Sequence, residues 1–199
     1  LEESGIPILD DGYWNASENE VVLKVSLSST GELAAIGDAV EILLNGDSFS
    51  SRQIKTPTST DIDQGYAEIT VDKAELGGEG EKVLTAVVTD AGGNTSGASA
   101  GIDTFLDTSA PTPPVVDSML ATTLTPTITG TATLEAGDSL TVLVAGATYE
   151  SVAVNNGEWS IDLAQATPDS GTLVLDNGTF DVVATVTDAA GNVSTDETA

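Results

Sequence analysis

The sequence predicts an all-β protein made of two tandem β-sandwich units, and three observations support this class. The segment Thr-Asp-Ala-Gly-Gly-Asn-Thr-Ser, which begins at Thr89, recurs with two changes at Thr187. Short runs in which apolar and polar residues alternate occur along the whole chain, and such alternation is typical of half-buried strands. Clusters of Gly, Asn and Asp separate these runs and predict tight turns.

The alternating runs define the expected strands. In one strand the apolar side consists of Val21, Leu23, Val25 and Leu27, and in another of Phe180, Val182, Ala184 and Val186. Further strands are expected at 40–44, 67–71, 83–89, 125–133, 140–144, 159–163 and 173–175. Helical periodicity is absent, apart from one turn near 72–76. About seven short strands per unit fit an immunoglobulin-like sandwich, in which Trp159 is expected to be a core residue.

The unit boundary is expected in a proline-rich connection. Three of the four residues from Pro111 to Pro114 are proline, which favours a stiff, extended linker. We therefore assign the units to residues 1–107 and 108–199, each long enough to bury its own core. An odd number of strands places the two ends of a unit at opposite poles, so the sequence predicts units arranged end to end as a rod.

The charge balance excludes several functions. The chain has 32 acidic and five basic residues, a formal net charge of -27, and no base after Lys82. This charge argues against binding to nucleic acid phosphates. Neither Cys nor His is present, so disulfides and the usual zinc ligands are excluded, and metals that prefer oxygen ligands remain. No apolar run is long enough for membrane insertion, and the chain reads as a piece of something longer.

Acidic turns are the candidate metal ligands. In an immunoglobulin-like sandwich the B–C and F–G loops meet at one end, and carboxylate and amide oxygens suit calcium. For the second unit this end would collect Asp107, Glu135, Asp138, Asp188 and Asn192, and the first unit repeats the pattern with Asp10 or Asp11, Asp38, Asp90 and Asn94. The alternative is that these Asp and Asn residues only form turns.

A second candidate metal site lies near the N-terminus. Asp11, Asn15 and Glu18 are spaced so that one folded loop could present three oxygens to calcium. The loop lacks the acid spacing and the twelfth-position Glu of an EF-hand. The alternative is a capped turn with Tyr13 or Trp14 packed inward.

These motifs resemble a known family. The resemblance rests on 8–18, Gly37-Asp38, Asp107-Thr-Ser-Ala-Pro111, Asn156-Gly-Glu-Trp159 and Val186-Thr-Asp-Ala-Ala-Gly-Asn192. They are similar to the bacterial immunoglobulin-like repeats in the extender regions of repeats-in-toxin and biofilm-associated surface adhesins. The resemblance implies export by type I secretion, an extracellular location on the bacterial surface, and calcium at domain junctions that stiffens the stalk. The first unit departs from the pattern over 52–64.

Three classes of function follow. The preferred interpretation is a calcium-rigidified spacer that projects a distal ligand-binding region, with calcium ions and neighbouring repeats as its partners and the chain itself a monomer. The alternative is a module that binds a glycan, a protein or ice directly, through Tyr13-Trp14 or through 56–60. An enzyme is not expected, because without His or Cys catalysis would need paired carboxylates in a cleft.

Overall fold

The structure is a computed structural model that describes residues 2–3, 11–27, 34–175 and 180–198. The chain divides into two compact units, Leu1–Thr108 and Ser109–Ala199. Strands dominate both units, so the predicted all-β class is confirmed. Among the described residues, neither helix has the length or hydropathy needed to cross a bilayer.

The first unit consists of two facing sheets. The larger sheet has the strand order β2-β8-β7-β4-β5, with β2 and β8 parallel, and the smaller has the order β1-β3-β6. Its strands are β1 (Glu2–Glu3), β2 (Tyr13–Trp14), β3 (Glu20–Ser26), β4 (Ala39–Leu44), β5 (Asp47–Lys55), β6 (Tyr66–Asp72), β7 (Gly80–Thr89) and β8 (Ile102–Leu106). A short 3-10 helix spans Lys73–Leu76, where the sequence predicts one helical turn.

The core of the first unit follows the predicted alternation. Along β3, Val21, Leu23 and Val25 are buried while the residues between them are half-buried or exposed. They pack in one cluster with Trp14 and Ile42, both of which are fully buried. Burial of such apolar side chains contributes roughly 1.5–3 kcal/mol each, so this cluster is the main source of the unit's stability.

The segment that departs from the repeat pattern contains a helix. Helix α1 spans Ser59–Gln64, begins at the N-cap Thr58 and ends at Gly65 in the left-handed conformation (φ 82°). Thr58 and Asp61 form a capping box, which satisfies backbone donors that a helix start leaves unpaired. The expectation that no helix would occur outside 72–76 is therefore wrong, because caps rather than an apolar stripe specify this helix.

The second unit has a four-stranded sheet in the order β13-β14-β10-β9 and a five-stranded sheet in the order β15-β12-β11-β16-β17. The strands are β9 (Val115–Val116), β10 (Thr127–Thr131), β11 (Ser139–Val144), β12 (Ala147–Tyr149), β13 (Val154–Asn155), β14 (Glu158–Asp162), β15 (Ser170–Gly171), β16 (Val182–Thr187) and β17 (Val193–Thr198).

Trp159 packs directly against Gly130 in the second core. Trp159 is 2% exposed, which confirms the prediction that it is a core residue. It pairs with Gly130 across β14 and β10. A Cβ atom at Gly130 would lie 2.4 Å from the indole ring and 2.1 Å from the carbonyl oxygen of Val115. No side chain larger than hydrogen fits there without movement of the backbone.

Strand prediction failed where the alternation is weak. The sequence does not predict β5, because it contains no run of alternating apolar residues. In the structure Phe49 is its buried residue, and its register with β4 shifts between Ile42 and Leu43. The strand expected at 173–175 is absent. There the chain follows the turn after β11 through two backbone bonds, from the amides of Thr172 and Val174 to the carbonyls of Gly146 and Ala145.

Candidate functional site

The two copies of the repeated motif form the same closed turn. In the first unit, β7 ends at Thr89, and the backbone and side-chain amides of Asn94 donate to the two carboxylate oxygens of Asp90, each at 2.8 Å. The Asp90 amide donates back to the Asn94 carbonyl at 2.9 Å. The Asn94 side chain first, and then its backbone amide, lower the pKa of the Asp90 carboxyl. Gly93 has φ 88°, a conformation suited to glycine.

The second copy repeats this geometry after β16. The backbone amide of Asn192 donates to Asp188 Oδ1 at 2.8 Å and its side-chain amide donates to Oδ2 at 3.0 Å. The Asp188 amide returns a bond of 3.0 Å to the Asn192 carbonyl. Asn192 is buried, whereas Asn94 is exposed. In both units the Asp and Asn of the motif are therefore partners of one another.

A second acidic turn precedes β4 and β11. Asp38 Oδ2 accepts from the Ala35 amide at 2.8 Å, and Asp138 Oδ2 accepts from the Glu135 amide at 2.9 Å. Each Asp amide returns a bond to the carbonyl three residues earlier, at 3.2 Å in both turns. The two units therefore share this turn as well, and its Asp is half-buried in each unit.

Strand pairing brings the two acidic turns together. In the first unit Ala39 pairs with Thr89, so Asp38, just before Ala39, and Asp90, just after Thr89, lie at the same end of the sheet. In the second unit Ser139 pairs with Thr187 and brings Asp138 and Asp188 to the same end in the same way. In the second unit the turns touch, since a Cβ at Gly137 would lie 2.9 Å from that of Ala189. We call the four turns, residues 35–38, 90–94, 135–138 and 188–192, the Asp turns.

The remaining predicted ligands are placed differently. Glu135 lies in an Asp turn with its side chain exposed. Asp107 belongs to the first unit and follows β8, where its amide donates to the Trp14 carbonyl at 2.9 Å. Asp10 lies outside the described residues. Within the described ranges, no three carboxylates are grouped so that they could hold a metal.

The N-terminal loop has the geometry of a capped turn. Asp11 Oδ1 accepts from the Tyr13 amide, Asn15 Oδ1 accepts from the Ser17 amide and hydroxyl, and Glu18 Oε2 accepts from the Asn15 amide, at 2.6–2.9 Å. Trp14 is fully buried beneath it. These contacts favour the capped-turn alternative for this loop, and its role as a calcium site stays a prediction.

The N-terminal loop is also hydrogen-bonded to Lys73, a residue that the sequence alone does not connect with it. The Lys73 ammonium group donates to the carbonyl oxygens of Asn15 and Ala16, each at 2.8 Å. Lys73 is more than fifty residues from the loop along the chain, and only the fold joins them. No local sequence signal reveals this contact.

The two surfaces proposed for direct ligand binding have structural roles. Trp14 is buried, and the Tyr13 ring lies against Phe105 with a centroid distance of 6.0 Å. In the Thr-rich segment, Pro57 is fully buried and Thr58 caps helix α1. Thr56, Thr58, Ser59 and Thr60 are nevertheless exposed, and direct ligand binding by either segment stays a prediction.

One comparison with known protein families finds a match to the second unit. Residues 117–199 match the sequence model of the family described as the bacterial Ig-like domain. No curated protein matches the chain. The matched residues include both Asp turns of the second unit, 135–138 and 188–192, and most of its sandwich.

Two similar solved structures are adhesins. One is described as a Ca2+-stabilized adhesin that helps an Antarctic bacterium reach out and bind ice, with 27% identity and a TM-score of 0.49 over 94% of this chain and 45% of that one. The other is a 1.5-MDa bacterial ice-binding adhesin, studied for host cell surface retention, with 22% identity and a TM-score of 0.45 over 96% of this chain and 60% of that one. The chain thus spans about half the length of these structures.

Proposed function

Because residues 117–199 match the bacterial Ig-like domain family, we propose that this chain is a pair of spacer domains from a large adhesin on the bacterial cell surface. In this role the two units, residues 1–107 and 108–199, project a distal ligand-binding region away from the cell. Calcium ions and neighbouring repeats are their partners. The spacer acts outside the cell, after export by type I secretion.

The observation that carries the calcium part of the proposal is the repetition of the Asp turns. Each unit places two aspartates, Asp38 with Asp90 or Asp138 with Asp188, at the same end of equivalent strand pairs. A carboxylate has about four lone-pair positions, so an Asp that accepts turn amides can still bind a metal. Two carboxylates with turn carbonyls and water could supply the six to eight oxygens of a calcium site.

The charge of the chain favours a bound cation. Residues 108–199 contain no Lys, Arg or His, and the aspartates of their Asp turns are held by neutral backbone and side-chain donors. These donors carry no charge, so they leave the net charge of the carboxylates uncompensated. A divalent ion between two carboxylates would reduce their repulsion.

Calcium-dependent melting tests this proposal. Extracellular calcium modules bind with a Kd of about 0.1–1 mM, so calcium at about 10 mM would stabilise a unit by about 1.4–2.7 kcal/mol. For a unit of this size, that energy corresponds to a rise in Tm of roughly 5–20 °C relative to excess chelator. Small-angle scattering of the same samples would show whether the particle lengthens in calcium.

Asparagine variants locate the ion. In Asp138→Asn with Asp188→Asn, the side-chain oxygen that accepts the backbone amides of each turn can be retained while the two charges are removed. The bond from the Asn192 side-chain amide to Asp188 Oδ2 is lost, so each variant is compared with its own chelated sample, and we expect the calcium-induced shift of the second unit to fall by at least about half. Asp181→Asn is the matched control, because Asp181 is exposed and immediately precedes β16. An unchanged shift in the double variant, or an equal loss in the control, would refute the assignment to the Asp turns.

A further inference from the structure

All five basic residues of the chain make specific contacts inside the first unit. Two pair with carboxylates and one lies over an aromatic ring, namely Arg52 with Glu41, Lys55 with Asp61, and Lys24 over Tyr66. The other two, Lys73 and Lys82, donate to backbone carbonyls instead. Both of these lysines bind segments that lie next to residues 107–108, the last residues of the first unit.

Lys73 ties the N-terminal loop to the 3-10 helix. Its ammonium group donates to the carbonyls of Asn15 and Ala16 at 2.8 Å, and its backbone amide donates to the carbonyl of Asn19 at 2.7 Å. Hydrogen bonds from a charged donor contribute roughly twice as much as neutral ones. Loop 15–19 is therefore held at three carbonyls by one residue.

Lys82 holds the segment that follows the 3-10 helix. The residue is 7% exposed, and its ammonium group donates to the Gly78 carbonyl at 2.5 Å. A buried ammonium group without a partner is strongly unfavourable, so breaking this bond is costly. Segment 77–79 is thus fixed to β7.

The acceptors for the last residues of the unit lie next to the loop held by Lys73 and within segment 77–79. The Asp107 amide donates to the carbonyl of Trp14, which directly precedes the loop held by Lys73. The amide and hydroxyl of Thr108 donate to Glu79 Oε1 at 3.1 and 2.9 Å, and Glu79 directly follows Gly78. An open surface groove is lined by Asn19, Lys73, Glu79 and Thr108 among others, so residues of both held segments lie close to the last residue of the unit.

We infer that Lys73 and Lys82 form an internal cationic clamp that fixes residues 107–108 without any metal ion. The two ammonium groups belong to the chain, so they stay in place at any calcium concentration, whereas an ion bound at millimolar Kd dissociates when calcium is depleted. The direction in which the chain leaves the first unit is then set by the fold. This inference does not depend on whether the Asp turns bind calcium.

Amide hydrogen exchange tests the clamp on the full chain. In the wild type, we expect the exchange rates of the Asp107 and Thr108 amides to be the same in about 10 mM calcium and in excess chelator. In Lys73→Met, we expect the Asp107 amide to exchange at least about tenfold faster in either condition, because loop 15–19 loses two charge-assisted hydrogen bonds. In Lys82→Met, we expect the same acceleration of the Thr108 amide, because segment 77–79, which carries its acceptor Glu79, loses its bond to β7. Lys24→Met removes the same charge from the same unit without touching either segment, and should leave both rates unchanged.

Two results would overturn the clamp. One is faster exchange of both amides in the wild type on chelation, which would make a metal ion the ordering element. The other is unchanged exchange of the Asp107 amide in Lys73→Met or of the Thr108 amide in Lys82→Met. If Lys73→Met does not fold, Lys73→Gln retains an amide donor and gives the same comparison, with intermediate acceleration expected and no acceleration counting against the clamp.

Discussion

At the scale of single residues, Asp188 and Asn192 close a turn of five residues with hydrogen bonds between their own atoms. Asp90 and Asn94 do the same in the first unit. The folded turn thus satisfies its own polar groups before any metal binds. The carboxylates are therefore already oriented before a calcium ion binds, so binding would not carry the entropic cost of ordering the turn.

Gly130 allows a second residue-scale prediction. In Gly130→Ala the added methyl group would overlap the Val115 carbonyl and the Trp159 ring, so both β9 and the indole must shift. Overpacking of this kind costs about 1–3 kcal/mol, and we expect the Tm of the second unit to fall by roughly 5–20 °C. Thermal unfolding followed by circular dichroism measures this. Gly97→Ala, at a site with no atom within 4 Å, is the control, and equal losses in both variants would contradict the packing argument.

At the scale of elements, helix α1 depends on one buried carboxylate. Asp61 is 4% exposed, completes the capping box with Thr58 and pairs with the Lys55 ammonium group of β5 at 2.7 Å. The Lys55 ammonium group first, and then the amide and hydroxyl of Thr58, lower the pKa of Asp61 to about 2. The helix is thereby joined to the edge of the five-stranded sheet of the first unit.

The depressed pKa of Asp61 predicts a specific acid sensitivity. Because the folded pKa of about 2 lies below the ordinary value of 3.8, ionised Asp61 stabilises the fold above pH 3.8, and this contribution is lost as the pH falls through about 2. Urea unfolding of wild type and Asp61→Asn should therefore differ most near pH 4.5 and converge towards pH 2. Asp63→Asn, an exposed acid on the same helix, should follow the wild type. A constant difference across this pH range would contradict the pKa argument.

At the scale of the whole molecule, the described residues form two separate hydrophobic cores. One contains Trp14 and Ile42, and the other contains Trp159 and Leu140. Each core is closed by sheets of its own unit. A domain with its own core can in principle fold alone, so each unit has what it needs to be an independent unit of folding.

Excision of the second unit tests this independence. We expect the fragment 109–199 to unfold in one cooperative transition, because its core lies within its own strands. A fragment 1–98 should not do so, since it lacks β8, which pairs with both β2 and β7. Circular dichroism melts of both fragments measure this. Loss of cooperative unfolding in 109–199 would show that the second unit depends on the first.

The sequence predicts most of the fold because its strands alternate strongly. The strands around Val21 and Val182 were found where expected, since their apolar side chains all face one core. Among the longer elements, β5, β8, β17 and helix α1 were missed. A register shift shapes β5 and a capping box shapes helix α1, rather than an apolar pattern. The Asp turns were expected from short motifs, and strand pairing sets which of them meet. The Lys73 contact lies beyond such reasoning, because it joins residues that are distant in sequence.

The positions of the five basic residues determine where a protease that cuts after Lys or Arg could cleave the chain. Lys24, Arg52, Lys55, Lys73 and Lys82 all lie within strands or the 3-10 helix. A protease that cuts after Lys or Arg therefore has no cleavage point anywhere in 83–199, and elsewhere it must wait for a strand or helix to open before it can cut. We therefore expect trypsin-like digestion of the folded chain to depend on local opening of the first unit.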